Sequence, residues 1–247
     1  MTSQIDSLLH ARWIVPADEA QSLLEFHSIA VNQGKILEIL PTDKAKLQYS
    51  AKNELELEDH LLMPGLINAH GHAAMSLFRG LADDLALMTW LQEHIWPAEG
   101  AFVSPEFVRD GTRLAIAEML KSGTTCFSDM YFYPDVTAQC VQAAGMRAQL
   151  VFPIIDVATA WARDSDGCLA KGLALRDDYR DHDLITIGFG IHATYSVSEP
   201  TLRKIATLTN ELDAPMQIHL HETRGEVQSA LEATGLTWSC LKFGASS

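Results

Sequence analysis

The hydrophobic and polar positions of this chain follow one pattern up to about Asp59 and a different one beyond it. In the first part, short apolar runs are separated by turn signals such as Pro16-Ala17-Asp18 and Asn32-Gln33-Gly34. These runs predict strands at residues 8–15, 28–31 and 35–40. Short strands joined by tight turns are typical of a small β unit, so we assign residues 1–59 to the N-terminal part of a small flanking β-sandwich domain.

Beyond Asp59, apolar runs alternate with amphipathic segments that carry helix caps. Ser104-Pro105 and Gly123 delimit one predicted helix, Ser198 begins another, and Gly235 ends a third. Alternating strands and helices are typical of parallel strands with right-handed crossovers. We therefore predict an α/β fold in residues 60–236, namely the first five strands of a (β/α)8 TIM-type barrel, and we treat residues 237–247 as an atypical tail. The predicted strands are residues 61–69, 124–130, 147–156, 184–192 and 215–221.

The segment from Met63 to His72 is an apolar run that ends in two histidines one residue apart. Side chains of a strand alternate between faces, so His70 and His72 project from the same side and can reach one metal ion. In a parallel barrel the reactive groups collect where the strands end. The motif therefore predicts half of a metal site, against the alternative of two ordinary loop histidines.

Two later predicted strands also end in polar side chains. One ends in His192, and the other ends in His219, His221 and Glu222. Imidazole nitrogen suits zinc or ferrous iron, and a catalytic ion needs about three protein ligands and an open position for water. Glu222 lies where a general acid or base is needed, although it could equally be the solvated first residue of the next helix. His221 is expected to pack or to support a neighbouring ligand.

Composition excludes several classes of partner. The formal net charge is −14 and hydrophobic residues make up 47% of the 247 positions. This charge disfavours nucleic acid and anionic membranes, and the apolar content suffices for a large core. The four cysteines form no C-x-x-C pair, and neither a signal peptide nor a membrane-spanning run is recognisable. We expect a cytoplasmic protein that acts on a small neutral or cationic molecule.

The combination of motifs resembles the amidohydrolase superfamily and, within it, the 5-methylthioadenosine/S-adenosylhomocysteine deaminases and their chlorohydrolase relatives. The resemblance extends to about Gly235. It implies one divalent metal ion, zinc in preference to iron, bound by His70, His72 and His219. The residues that carry it are the run from Pro64 to Met75, then Leu77-Phe78-Arg79-Gly80, Trp90 and Trp96-Pro97-Ala98-Glu99.

The resemblance also implies a purine nucleoside substrate that loses ammonia. Glu222 would move the proton, Glu99 would hold the ribose hydroxyls, and His192 would contact the substrate together with Trp90. Relatives that accept S-adenosylhomocysteine place arginines near the position of Phe152. An aromatic residue there favours the apolar tail of methylthioadenosine, unless Phe152 is simply a strand-core residue.

The family's histidine after a sixth strand and aspartate after an eighth have no counterpart downstream of Glu222. A complete barrel takes about 250 residues, so we expect a truncated chain with little or no deaminase activity, part of a homo-oligomer when full length. Ammonia release from methylthioadenosine at an ordinary enzymatic rate would refute this. The alternatives are a triazine chlorohydrolase, a guanine or cytosine deaminase, or a non-catalytic nucleoside-binding fragment.

Overall fold

The computed structural model describes residues 2–234, and these form two compact units that divide after Gly65. The first unit contains a four-stranded sheet of order β3-β2-β1-β4, in which β1 pairs antiparallel with β2 and parallel with β4. Helix α1 (Thr42–Gln48) connects β3 to β4. The strands are β1 (Ser3–Ile14), β2 (Leu24–Asn32), β3 (Lys35–Pro41) and β4 (Tyr49–Leu62).

The three strands predicted in the first unit are present, but β4 has no counterpart among the predictions. Its sequence is rich in glutamate and most of its side chains are exposed, so it lacks the apolar run that marks a buried strand. Pairing with β1 forms this strand. The single strand predicted at residues 61–69 is also divided, because Pro64 has no N–H to give to a ladder. Leu61 and Leu62 end β4, whereas a new strand begins at Leu66.

The second unit is built on a parallel sheet whose five strands follow one another in sequence order. The sheet is curled into half of a barrel, which confirms the predicted partial TIM-type barrel and its separation from the β unit of the N-terminal residues. Each predicted strand has a counterpart in the structure, and most of the observed strand ends lie within three residues of the predicted ends. The strands are β5 (Leu66–Asn68), β6 (Thr124–Asp129), β7 (Arg147–Ile154), β8 (Ile185–Ala193) and β9 (Met216–His219).

Helices connect these strands. The predicted cap Ser104 is confirmed, since its hydroxyl oxygen accepts a hydrogen bond from the backbone N–H of Phe107 at 3.2 Å. No helix in the described part of the chain combines the length and the apolar character needed to span a membrane. The helical segments are a 3₁₀ helix (Ala73–Phe78), α2 (Leu87–Trp90), a π-helical turn (Leu91–Ile95), α3 (Trp96–Phe102), α4 (Pro105–Lys121), α5 (Pro134–Ala144), α6 (Ser165–Asp178), α7 (Glu199–Glu211) and α8 (Arg224–Thr234).

Alternation along the strands separates the two faces of the curled sheet. In β8, Ile187, Phe189 and Ile191 are fully buried and belong to the core shared with the helices. The residues between them therefore face the interior of the half-barrel. By this alternation, His192 near the end of β8 lies on the interior face. His219 at the end of β9 lies on the interior face for the same reason.

Candidate metal centre

Three histidines converge at the carboxyl end of the curled sheet. His70 and His72 follow β5, and His219 is the last residue of β9. The Nε2 atom of His219 lies 3.2 Å from Nε2 of His70 and 3.3 Å from Nε2 of His72. In a tetrahedral zinc site with Zn–N bonds of about 2.0–2.1 Å, two ligand nitrogens are about 3.3–3.4 Å apart. The spacing of these nitrogens therefore fits one shared zinc ion.

Hydrogen bonds to backbone carbonyls fix the tautomers of two of these rings. His72 Nδ1 donates to the carbonyl oxygen of Met130, and His219 Nδ1 donates to that of His192, both at 2.6 Å. A carbonyl oxygen can only accept, so each Nδ1 carries the hydrogen and each Nε2 of the neutral ring keeps a lone pair. Two lone pairs at 3.3 Å repel each other, and a cation between them removes that repulsion. The donor set therefore also fits a metal ion.

Burial keeps His72 in the form that can bind a metal. Desolvation of the ring lowers the pKa of His72 to about 4, although the hydrogen bond to Met130 acts in the opposite direction. The ring is therefore neutral at pH 7. Neutral imidazole is the form that donates its lone pair to a metal.

The end of β6 holds the segment that carries the first two histidines. The backbone N–H of Met130 donates to the carbonyl oxygen of Gly71 at 3.0 Å, and the backbone N–H of Ala73 donates to Oδ1 of Asp129 at 2.5 Å. With the bond from His72 to Met130, these contacts attach residues 71–73 to two consecutive residues of the barrel. The conformation around His72 is thus set by a neighbouring strand.

A glutamine side chain crosses the interior of the half-barrel below the histidines. Nε2 of Gln217 donates to the carbonyl oxygen of Ala69 at 3.1 Å and to Oγ of Ser128 at 2.8 Å. Gln217 shares the interior face of β9 with His219, and Ala69 immediately precedes His70. The amide therefore connects the strand of the third histidine to the strand of the first.

His192 lies beside the cluster, with its ring centroid 5.6 Å from that of His219. Its Nδ1 is 2.8 Å from the hydroxyl oxygen of Ser196, which in turn donates to the carbonyl oxygen of Ala193 at 3.2 Å. Since that hydroxyl hydrogen is used, His192 Nδ1 is the donor and its Nε2 is free to accept. Burial lowers the pKa of His192 to about 4, so this ring too is neutral at pH 7.

The structure brings Glu99 to the same region through Tyr131. The Tyr131 hydroxyl donates to Oε1 of Glu99 at 2.9 Å, and the Tyr131 ring centroid lies 6.4 Å from that of His72. Burial raises the pKa of Glu99 above its usual range, and the hydrogen bond from Tyr131 partly offsets this. A partly buried carboxylate with one oxygen already paired is suited to holding a polar ligand in a fixed orientation.

Within the described residues, no hydrogen bond joins Glu222 or Trp90 to the three histidines. Glu222 is exposed in the turn between β9 and α8. Burial, followed by the charges of Glu222 and Glu226, raises the pKa of Tyr195 to about 12, and the Tyr195 ring lies 5.9 Å from that of His192. The Trp90 indole N–H donates to the carbonyl oxygen of Leu81 at 3.2 Å and so fastens the loop before α2.

Phe152 does not join the other predicted site residues, and its suggested contact with the substrate is corrected here. The side chain is fully buried, its ring lies 4.9 Å from that of Phe189, and a Cβ added at Gly172 of α6 would lie 2.3 Å from it. Alternation explains this position, because Gln149 reaches Ser128 in the interior and Phe152, three residues later, faces the helices. Phe152 is a strand-core residue.

Hydrogen bonds to the site segments also come from side chains that were not among the predicted site residues, including those of Asp129, Tyr131 and Gln217. Asp129 ends β6 and Tyr131 follows two residues later, and polar groups collect at the ends of parallel strands. This rule was applied only to predicted strands that end in histidine. Gln217 lies two residues before His219, on the same face of β9. The two-residue spacing between Gln217 and His219 could be seen in the sequence, but the hydrogen-bond partners of Gln217 could not.

Comparisons with known proteins agree with this arrangement. The model of the amidohydrolase family matches residues 61–245. A 5-methylthioadenosine/S-adenosylhomocysteine deaminase of Saccharophagus degradans is 54% identical over 231 residues, which cover 94% of this chain and 52% of that protein. A protein of the same name from Teredinibacter turnerae is 51% identical, with 95% and 53% covered. The chain thus spans about half the length of the curated relatives it matches.

Solved structures share the fold. An adenosine deaminase from Xanthomonas campestris, solved with bound zinc, has a TM-score of 0.93 and 43% identity, covering 96% of this chain and 54% of that one. An atrazine chlorohydrolase from Arthrobacter aurescens, solved with zinc, has a TM-score of 0.84 at 17% identity, with 94% and 57% covered. At that identity the second similarity concerns the fold alone.

Proposed function

Because this chain belongs to the amidohydrolase family, we propose that His70, His72 and His219 bind one divalent metal ion, zinc in preference to iron. The observation that carries the proposal is the convergence of three ring nitrogens. In His72 and His219 the converging Nε2 carries no hydrogen, because Nδ1 of the same neutral ring donates to a backbone carbonyl. The zinc in the 43% identical adenosine deaminase supports the choice of metal. Such an ion lowers the pKa of water towards about 7 and so supplies the nucleophile.

The proposed reaction is hydrolytic deamination of a purine nucleoside. Water adds at the amino-bearing carbon of the purine, the carbon–nitrogen bond breaks, ammonia leaves and the inosine analogue remains. The names of relatives at 54% and 51% identity support 5′-methylthioadenosine and S-adenosylhomocysteine as substrates, and the name of the 43% identical adenosine deaminase supports adenosine. The buried position of Phe152 removes the reason for preferring methylthioadenosine over S-adenosylhomocysteine, so the proposal includes both.

The predicted residues that serve the proposed reaction have separate roles in it. Glu222 transfers the proton from the attacking water to the purine, as a carboxylate three residues past a ligand can when the substrate brings it within hydrogen-bond distance. His192 offers a neutral Nε2 acceptor that orients the ring. Glu99, held at Oε1 by Tyr131, accepts from the ribose hydroxyls through its other oxygen. Trp90 stabilises the segment that leads towards Glu99.

We also propose that the protein works in the cytoplasm. Cys126, Cys140 and Cys168 are free thiols in the described part of the chain. Reduced cysteines are typical of cytosolic proteins.

Replacing Glu222 with glutamine tests the reaction. In a zinc-loaded protein in which these residues stand within a closed barrel, we expect ammonia release from methylthioadenosine to fall about 10²–10⁴-fold, because the amide cannot transfer a proton. Zinc content should not change. The exposed Glu106 on α4, replaced by glutamine, is the matched control. A Glu222→Gln protein that deaminates at the wild-type rate would contradict the proposed role.

Replacing Glu99 with alanine tests the substrate class. The zinc-loaded chain should bind methylthioadenosine about 10–100-fold more weakly, since hydrogen bonds to a charged group contribute about 1.5–3 kcal/mol. Its affinity for free adenine should stay within about twofold, because adenine carries no ribose. Isothermal titration calorimetry measures both constants. Equal losses for the nucleoside and the base would show that Glu99 does not recognise ribose.

A further inference from the structure

We infer that Asp129 is a positioning residue for the metal centre, acting on His72 through the backbone of Ala73. The inference rests on the proposed metal site at His70, His72 and His219. Asp129 does not belong to the group of side chains that can hold the ion among the described residues. Its effect is therefore exerted through the chain segment that follows the His-x-His motif.

The position of Asp129 follows from the alternation of β6. Ser128 faces the barrel interior and bonds Gln217, whereas Phe127 and Asp129 face the helices. Asp129 is 3% exposed, and its Oδ1 accepts from the backbone N–H of Ala73 at 2.5 Å. Ala73 is the first residue of the 3₁₀ helix, where backbone N–H groups have no partner within the helix. Asp129 supplies the acceptor that this N–H needs.

The bond from Asp129 completes a set of contacts around His72. The next residue, Met130, accepts from His72 Nδ1 and donates to the carbonyl oxygen of Gly71. The residues before and after His72 and the His72 ring are thus all attached to the end of β6. Met130 makes both of its bonds through backbone atoms, so on the β6 side of these three contacts only the carboxylate of Asp129 can be removed by substitution.

Close packing on the other side limits how the segment can respond. A Cβ added at Gly111 of α4 would lie 2.4 Å from the carbonyl oxygen of Ala74, so the helix already touches this backbone. Ala73 is itself buried. Without Asp129, a buried N–H is left without an acceptor, and the turn must move to find one. Zinc ligands tolerate deviations of only about 0.2 Å, so such a movement weakens the site.

Metal titration of three variants tests this role. Co²⁺ is the probe, because its visible absorption reports both binding and coordination geometry. Asp129→Ala and the milder Asp129→Ser are expected to bind Co²⁺ about 10–100-fold more weakly, with a changed spectrum, as is typical when a group that supports a ligand is removed. Asp129→Asn keeps an oxygen acceptor for Ala73, so its affinity should stay within about threefold and its spectrum should be unchanged.

Val141→Ala is the matched control for a general loss of stability. Val141 is fully buried on α5, and its apolar side chain gives no hydrogen bond to residues 71–73, so its truncation lowers the free energy of unfolding without removing such a bond. It should retain the wild-type affinity for Co²⁺. A folded Asp129→Ala or Asp129→Ser with wild-type affinity, an Asp129→Asn as weak as Asp129→Ala, or an equal loss in Val141→Ala would overturn the inference. A wild-type chain that binds no Co²⁺ would instead overturn the proposed metal site.

Discussion

Replacing His72 with alanine is expected to weaken zinc binding at least about a hundredfold. Zinc sites with four protein ligands have binding free energies of about 10–16 kcal/mol, or about 3 kcal/mol for each ligand. His72 supplies one of the three converging nitrogens, and its ring is held in the required tautomer by Met130. Zinc content after dialysis and competition with a chromophoric chelator measure the loss.

The control for this prediction is another histidine of the same unit. His182 lies before β8, and its Nδ1 accepts from the backbone N–H of Leu184 at 3.1 Å. His182→Ala should bind zinc as the wild type does. Should His72→Ala retain one tightly bound zinc ion per chain, the ion would have to be held elsewhere.

Protonation of His72 and His192 is expected to remove stability from the metal-free chain between pH 6.5 and 4. Burial lowers the pKa of both His72 and His192 from 6.5 to about 4. At these two rings the unfolded chain binds more protons than the folded chain between these values, so their contribution to the free energy of unfolding falls as the pH falls. Burial raises the pKa of Asp129 to about 7, and this carboxyl acts in the opposite direction over the same window. The full contribution is about 3 kcal/mol for each ring, present above pH 6.5 and lost by about pH 4.

Urea unfolding in the presence of a chelator, repeated from pH 7.5 to 4, measures this effect. His192→Gln should show a smaller loss over the window, by up to about 3 kcal/mol, because the amide does not titrate there. The exposed His60 of β4, replaced by glutamine, serves as the control and should leave the slope unchanged. A His192→Gln chain with the wild-type pH dependence would show that His192 is not buried in its neutral form.

Much of the second unit could be predicted because its signals are local. The cap at Ser104 depends on residues that are neighbours in sequence, and the strands of this unit are apolar runs of strand length. The strand β4 could not be predicted in this way. Its alternating Glu54, Leu55, Glu56 and Leu57 are largely exposed, and only pairing with β1 makes it a strand.

The candidate site shows the same division between local and distant information. The His70 and His72 spacing predicted a shared ion, and the structure brings both rings to His219. The groups that orient these rings could not be predicted, because Met130 and Asp129 lie more than fifty positions along the chain from the residues they hold. For Phe152 the structure favours the alternative of a strand-core residue, because alternation from Gln149 turns its side chain towards the helices.

Zinc K-edge X-ray absorption of the zinc-loaded wild-type chain tests the proposed metal site most directly. We expect one zinc ion per chain, with three imidazole nitrogens at about 2.0–2.1 Å and the remaining ligands provided by light atoms. His72→Ala should lose the multiple-scattering signal of one imidazole. The control His182→Ala should keep the signal of all three. A shell of sulfur at about 2.3 Å, or fewer than three imidazoles in the wild type, would contradict the proposed site.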